Sequence, residues 1–201
     1  MVYSRILVLK LYLCRNSLHF IVMDTIKLKD LTFKPYISSA EIAAAVKNVA
    51  ARINEDLADK NPLFLCVLNG AFVFAADLFR EINIPGAEIT FIRMKSYIGT
   101  HSTGEVQMVS GLHEDISGRT VVIIEDIVES GLTMQRLLEI LAAHNPSEIH
   151  IASLLVKPEM LKVPLNIEYV AMNIPNDFIV GYGLDYDQLG RNLKDIYTVV
   201  E

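Results

Sequence analysis

An α/β fold built on a mostly parallel sheet is predicted by three observations on this 201-residue chain. The apolar runs Leu63 to Leu68 and Val121 to Ile124 show no polar alternation, the mark of strands buried on both faces. Segments with helical spacing of apolar residues alternate with such runs, as crossover connections require. Residues 120–134, Thr-Val-Val-Ile-Ile-Glu-Asp-Ile-Val-Glu-Ser-Gly-Leu-Thr-Met, pass from strand through two acids and a turn into a helix. In open α/β sheets ligands bind at the carboxyl end of such a strand.

The elements follow in order. Ile6 to Leu13 is apolar but interrupted by Lys10, and it is too short to span a bilayer. Arg15, His19 and Phe20-Ile21-Val22 stand where a signal peptide needs small residues. Residues 1–22 therefore read as a non-targeting extension, with Met23 as a candidate translation start and residues 23–201 as a single domain. Ser38-Ser39-Ala40-Glu41 has capping-box spacing, and Ile42, Val46, Val49, Ile53 and Leu57 predict a helix over about 39–59. Leu63 to Leu68 is a strand ending at Asn69-Gly70, and Phe72, Ala75, Leu78, Phe79 and Ile82 mark a second helix. Ile89 to Tyr97 reads as a strand, residues 98–104 as a polar, glycine-containing loop, and Glu105 to Ser110 as its return strand. After the 120–134 segment, Met134, Leu137, Leu138 and Leu141 give a helix face, and Glu148 to Val156 and Ile167 to Met172 continue as strands.

Composition narrows the function. A formal net charge of −6 argues against non-specific nucleic-acid binding, which needs a cationic field, so an anionic ligand must be held by local features. A 52% hydrophobic content suits a sizeable core. Of two cysteines, Cys14 and Cys66, the second lies inside an apolar run, so no disulfide framework is implied and a reducing cytoplasm fits. His19, His101, His113, His144 and His150 form no i,i+4 pair, which speaks against zinc.

Residues 125–133 carry the chemistry. Exposed N–H groups at a helix start favour a phosphate monoester, whereas the carboxylates of Glu125 and Asp126 suit ribose hydroxyls or Mg²⁺. A sugar phosphate held at both ends satisfies both. There is no Gly-x-x-x-x-Gly-Lys and no Gly-x-Gly-x-x-Gly at this position. An apolar strand, two acids, two mostly apolar residues, an acid, Ser, Gly and a final Thr together resemble the phosphoribosyl-pyrophosphate motif of type I phosphoribosyltransferases.

Four further segments resemble the 6-oxopurine, or hypoxanthine-guanine, subfamily, and the resemblance covers about residues 30–200. It implies the type I phosphoribosyltransferase fold, a mostly parallel sheet flanked by helices with a small hood built from N- and C-terminal segments. Cys66-Val-Leu-Asn-Gly-Ala-Phe72 is similar to a loop that offers backbone N–H groups to pyrophosphate across a non-proline cis peptide, which here would be Asn69-Gly70. The family more often has Lys or Arg at Asn69. Arg93-Met-Lys-Ser-Tyr97 resembles the catalytic loop, and implies that Ser96 and Tyr97 close over the reaction centre and contact pyrophosphate. Closure shields a cationic ribosyl transition state from water.

The resemblance also implies a purine site and a metal. Lys157 would donate to the exocyclic oxygen, Phe178 would stack on the base, and the Ile179 backbone would read its edge. Asp185 would lie near the purine and on a second Mg²⁺ shell, and Arg191 would bind pyrophosphate. Glu125, Asp126, Glu129, Ser130, Gly131, Leu132 and Thr133 would hold the ribose and 5-phosphate, with Mg²⁺ on Glu125 and Asp126. Glu129 stands where the family commonly has Asp for the acid that takes the purine N7 proton. The extra methylene moves the carboxylate by about 1 Å.

The implied reaction is purine salvage in the cytoplasm: transfer of 5-phosphoribosyl from its pyrophosphate to N9 of hypoxanthine or guanine, giving IMP or GMP and pyrophosphate. Family members are homodimers or homotetramers, with no nucleic-acid or membrane partner. Two alternatives stand beside this reading, a non-catalytic regulator on the same fold and a transferase preferring xanthine. Net charge and the joint presence of Ser96-Tyr97, Lys157 and Asp185 weigh against the regulator.

Overall fold

The structure, a computed structural model, describes residues 9–11, 20–22, 25–96, 106–110 and 112–200. The chain divides into two compact units, a larger one of Ala40–Asn176 and a smaller one of Met1–Ser39 with Asp177–Glu201.

In the smaller unit, β1 (Leu9–Leu11) pairs antiparallel with β2 (Phe20–Val22), an element that the reading of residues 1–22 as an extension did not anticipate. The strands β3 (Ile26–Leu28) and β4 (Leu31–Ile37) belong to a four-stranded antiparallel sheet that the C-terminal β11 (Ile179–Val180) and β12 (Ile196–Val199) complete, in the order β11-β12-β4-β3. Pro35, which has no N–H to donate, sits beyond the reach of β3 and where the register with β12 shifts, a position that spares a ladder bond. Phe33, Val180 and Ile196 are fully buried.

The larger unit holds α1 (Ser39–Asp56) from Ala40 onward, three residues shorter than its pattern predicts because residues 57–60 tighten into a turn closed by Lys60 N–H to Leu57 O, 3.1 Å. Within the smaller unit, the Asp195 carboxylate accepts the N–H of Ser39 at 2.6 Å. Next come β5 (Leu63–Leu68), α2 (Phe72–Glu81), β6 (Glu88–Ser96), β7 (Val106–Ser110), β8 (Thr120–Val128), α3 (Leu132–Ala142), β9 (Glu148–Val156), a 3₁₀ turn at Pro158–Met160 and β10 (Tyr169–Asn173).

These strands form a six-stranded sheet, β10-β9-β8-β5-β6-β7, parallel except for the antiparallel edge β7. Successive side chains on a strand face opposite ways, and the two faces are covered separately. Leu63, Leu65, Val67, Val121 and Ile123 pack with Met134, Leu137 and Leu141 of α3. On the other face Phe64 meets Phe79 of α2 edge-on at 5.5 Å. Asn54 ties α1 to the end of α2, donating to Glu81 O and accepting from Asn83 N–H, both at 2.9 Å.

Candidate active site

Strand order marks out a candidate site. From β5 the chain moves to β6 on one side, whereas the next parallel strand, β8, lies on the other, so the connections leaving β5 and β8 diverge. That divergence opens a crevice at the carboxyl ends of parallel strands.

The loop after β5 enters this crevice. Its cis peptide is Leu68–Asn69, one bond earlier than the Asn69-Gly70 position implied by the motif. The ladder with β6 ends at the Leu68↔Arg93 pair, and the chain turns at the first peptide beyond it, closing with Phe72 N–H to Asn69 O. Gly70 is buried, and an added Cβ would lie 1.5 Å from Asp126 Oδ2. Close approach to the acid, rather than an unusual φ, is what demands glycine here.

Glu125 and Asp126 lie within β8 and not beyond its end. The strand extends past the apolar run because Glu125, Ile127 and Val128 stay in register with Ser153, Leu155 and Val156 of β9. Burial, then the adjacent Asp126 carboxylate, push the Glu125 carboxyl well above the usual range. One Asp126 oxygen accepts the Ile127 N–H at 3.0 Å. Two crowded carboxylates of this kind fit a divalent cation, which relieves their repulsion and needs only one or two protein oxygens when a substrate supplies others. Burial and the same acids raise the Cys66 thiol to about 12, so it stays protonated and unreactive at neutral pH.

At the end of β8 and beyond it, Glu125, Ile127, Val128, Glu129, Ser130, Gly131, Thr133 and Met134 line a cavity of about 150 Å³. Gly131 adopts φ +78°, and a Cβ there would meet Leu165 Cδ1 at 2.7 Å and Val163 Cγ2 at 3.0 Å. Backbone handedness and packing both exclude a side chain. The turn is set by Lys162 N–H to Ser130 O, 3.0 Å, and α3 starts with Gln135 N–H to Gly131 O, 2.9 Å.

Glu129 and Lys157 each follow one strand residue of the Val128↔Val156 pair, and the Lys157 N–H donates to Val128 O at 3.0 Å. The lysine is only 4% exposed, and its Nζ forms an ion pair with Glu129. Sequence reasoning assigned the two residues separate roles and missed this pairing. The available signal was that each directly follows an apolar strand.

The remaining candidates lie elsewhere. Ser96 is the last residue of β6, paired in backbone register with Val106, and Tyr97 lies outside the described residues. In the smaller unit Phe178 is 44% exposed beside buried Ile179. Asp185 and Arg191 meet each other at 2.7 Å; Arg191 also donates to Gly183 O, and Gln188 N–H donates to the second Asp185 oxygen, each at 2.7 Å. The resemblance implies a metal and a pyrophosphate contact for these two, whereas the same residue types by themselves also suit a plain Asp–Arg ion pair, and here they form one.

The pattern of the phosphoribosyl transferase domain matches residues 37–187. A hypoxanthine phosphoribosyltransferase of Buchnera aphidicola subsp. Schizaphis graminum is 42% identical over 172 residues, covering 84% of this chain and 97% of that protein. This chain belongs to the hypoxanthine-guanine phosphoribosyltransferase family. A hypoxanthine-guanine phosphoribosyltransferase of Streptococcus thermophilus is 40% identical over 169 residues, 84% of this chain and 93% of that one. The crystal structure of a hypoxanthine-guanine phosphoribosyltransferase from Bacillus anthracis superposes with a TM-score of 0.76 at 38% identity, covering 83% and 96% of the two chains. The expected fold class, the enzyme class and its place in purine salvage are thereby borne out. Among the described residues no helix is long and apolar enough to cross a membrane.

Proposed function

We propose that this enzyme transfers 5-phosphoribosyl from phosphoribosyl pyrophosphate to N9 of hypoxanthine or guanine. The observation that carries the reading is the Lys157–Glu129 pair beside the cavity after β8. A lysine donor next to a carboxylate acceptor complements the adjacent O6 and N7–H of a 6-oxopurine. Adenine would set its 6-amino donors against the ammonium and leave both unsatisfied. As N9 bonds to C1 of the ribose and pyrophosphate departs, Glu129 takes the N7 proton.

The other roles follow the motif. Glu125 and Asp126 hold the ribose hydroxyls and offset positive charge developing at the sugar. Residues 130–133 receive the 5-phosphate on N–H groups and hydroxyls. Asn69, Gly70, Ser96, Tyr97 and Arg191 take the pyrophosphate, and Phe178, Ile179 and Asp185 the base. Mg²⁺ on Glu125 and Asp126, with Asp185 contributing from a second shell, would neutralise the leaving group. On this reading residues 23–201 act as one domain in a cytoplasmic homodimer or homotetramer, and residues 1–22 are an extension.

The test is a spectrophotometric assay with phosphoribosyl pyrophosphate, Mg²⁺ and each of hypoxanthine, guanine, xanthine and adenine. Nucleotide from hypoxanthine and guanine, and none from adenine, is the expected result. Product from xanthine or adenine alone, or from no base, overturns it.

A further inference from the structure

The smaller unit holds Phe178 in a frame that no motif pointed to. Its ring lies 5.7 Å from Tyr186 at an interplanar angle of 89°, and 6.0 Å from fully buried Phe33. Tyr186 and Phe33 are 6.3 Å apart, so the three rings form a closed cluster. Only Phe178 of the three is exposed. An exposed ring gains a defined plane from edge-to-face contacts of this kind.

Tyr186 is itself fastened. Its hydroxyl donates to Asp30 Oδ1 at 2.7 Å, in the turn between β3 and β4. That bond holds the Asp30 carboxyl below its usual range and the Tyr186 hydroxyl above. Its backbone exchanges hydrogen bonds with Leu189, N–H to O at 2.9 Å and back at 3.0 Å. The two residues enclosed, Asp187 and Gln188, have φ of +48° and +70°. Consecutive left-handed non-glycine residues are strained and persist where their surroundings over-determine them. Here the surroundings are the Lys29–Asp187 ion pair and the Gln188 N–H bond to Asp185. Two ties from one hairpin turn thus hold a strained turn, and the residue it presents is the ring against Phe178.

We infer that Tyr186, anchored by Asp30, is a positioning residue that sets the plane of the Phe178 ring for stacking on the purine. The inference rests on the reading of Phe178 as the stacking residue. Tyr186 touches the ring and not the substrate, so its loss shows in base binding rather than in the chemical step.

The experiment is steady-state kinetics of the full-length enzyme, with hypoxanthine and phosphoribosyl pyrophosphate varied separately, on Tyr186→Phe, Asp30→Asn, the double variant and Phe178→Leu. Removing one hydrogen bond that fixes an aromatic contact should raise KM for hypoxanthine by about threefold to tenfold. KM for phosphoribosyl pyrophosphate and kcat should stay within about twofold, and the double variant should be no worse than either single one, since both remove the same bond. Unchanged KM for hypoxanthine in the two single variants, while Phe178→Leu raises it, overturns the positioning role and leaves the stacking reading standing. No change in Phe178→Leu overturns the stacking reading itself. Parallel changes in both KM values and kcat with a lowered melting temperature would make Tyr186 a merely structural residue, again overturning the inference.

Discussion

The two ends of the six-stranded sheet carry similar acids in opposite circumstances. At the amino ends of β8 and β9, Glu148 is met by Lys60 at 3.0 Å, Thr120 Oγ1 at 3.1 Å and His150 Nε2 at 3.2 Å, and Arg119 holds Glu88 at 2.7 Å. Lys60 and the other donors keep the Glu148 carboxyl below its usual range. At the carboxyl ends, Glu125 is pushed up by burial and then by the adjacent Asp126 carboxylate. The larger cavity, about 490 Å³, lies at the neutralised end, whereas the one bordering the acids is about 150 Å³. Uncompensated charge, rather than cavity size, distinguishes the end proposed to do chemistry, because an acid kept in an unfavourable setting is poised for a ligand.

The strongest way to break this contrast is at Glu129, which among the described residues is the acid of the carboxyl end that has a lysine. Glu129→Gln should lower turnover by about 100-fold or more, while Glu129→Asp retains activity. It also strips buried Lys157 of its partner; because Glu129 is half exposed, the stability cost should fall between the roughly 1 kcal/mol of a surface pair and the 3–5 kcal/mol of a buried one. Near-wild-type turnover in the Gln variant would refute the proton-accepting role. Gly70→Ala forces Asp126 and the loop apart, and a displacement near 1 Å should cost about 100-fold in kcat. Wild-type kinetics there would show that the contact is incidental.

Glu125→Gln separates function from stability. Turnover should drop by about tenfold, and the melting temperature at neutral pH should rise. The sign follows from the raised carboxyl: the folded state holds this proton more tightly than the unfolded one, so stability is lost as pH rises from the usual carboxylate range toward the raised value. The variant should lack that slope, and equal slopes by calorimetry between pH 4 and pH 8 would contradict the assignment. The smallest effect is expected at the other end. Glu148→Gln should leave kcat unchanged and lower the melting temperature by a few degrees at pH 7. Because its carboxyl is depressed, that difference should vanish as pH falls through the folded value, and any loss of activity would mean that the two ends are not independent.

Much of this was legible in the chain. Leu63–Leu68 and Glu148–Val156 match their predicted bounds, since unbroken apolar runs of strand length bounded by turns leave little freedom. Glu125, Glu129, Ser130, Gly131 and Thr133, singled out as candidates in the chain, all border the cavity at the end of β8. The strands β3, β4, β11 and β12 were not delimited, because they are short, hold a proline or glycine-rich flanks, and are joined into one sheet by the β4–β12 pairing of segments more than 140 residues apart, such as Phe33 with Val199. The full length of β8 escaped for a related reason. Glu125 and Asp126 read as the carboxyl end of the strand until the ladder from β9 carries it on to Val128.

The residue types and their local order were enough to establish an α/β chain, its helix faces and a strand–acid–turn–helix cradle, since periodicity and turn chemistry act over a few residues. Glu129 meeting Lys157, Gly70 yielding to Asp126 and Tyr186 braced by Asp30 were decided by strand register and loop packing. Those contacts join residues 28 to 156 positions apart, and nothing in local sequence encodes which side chains a fold will bring to the same edge.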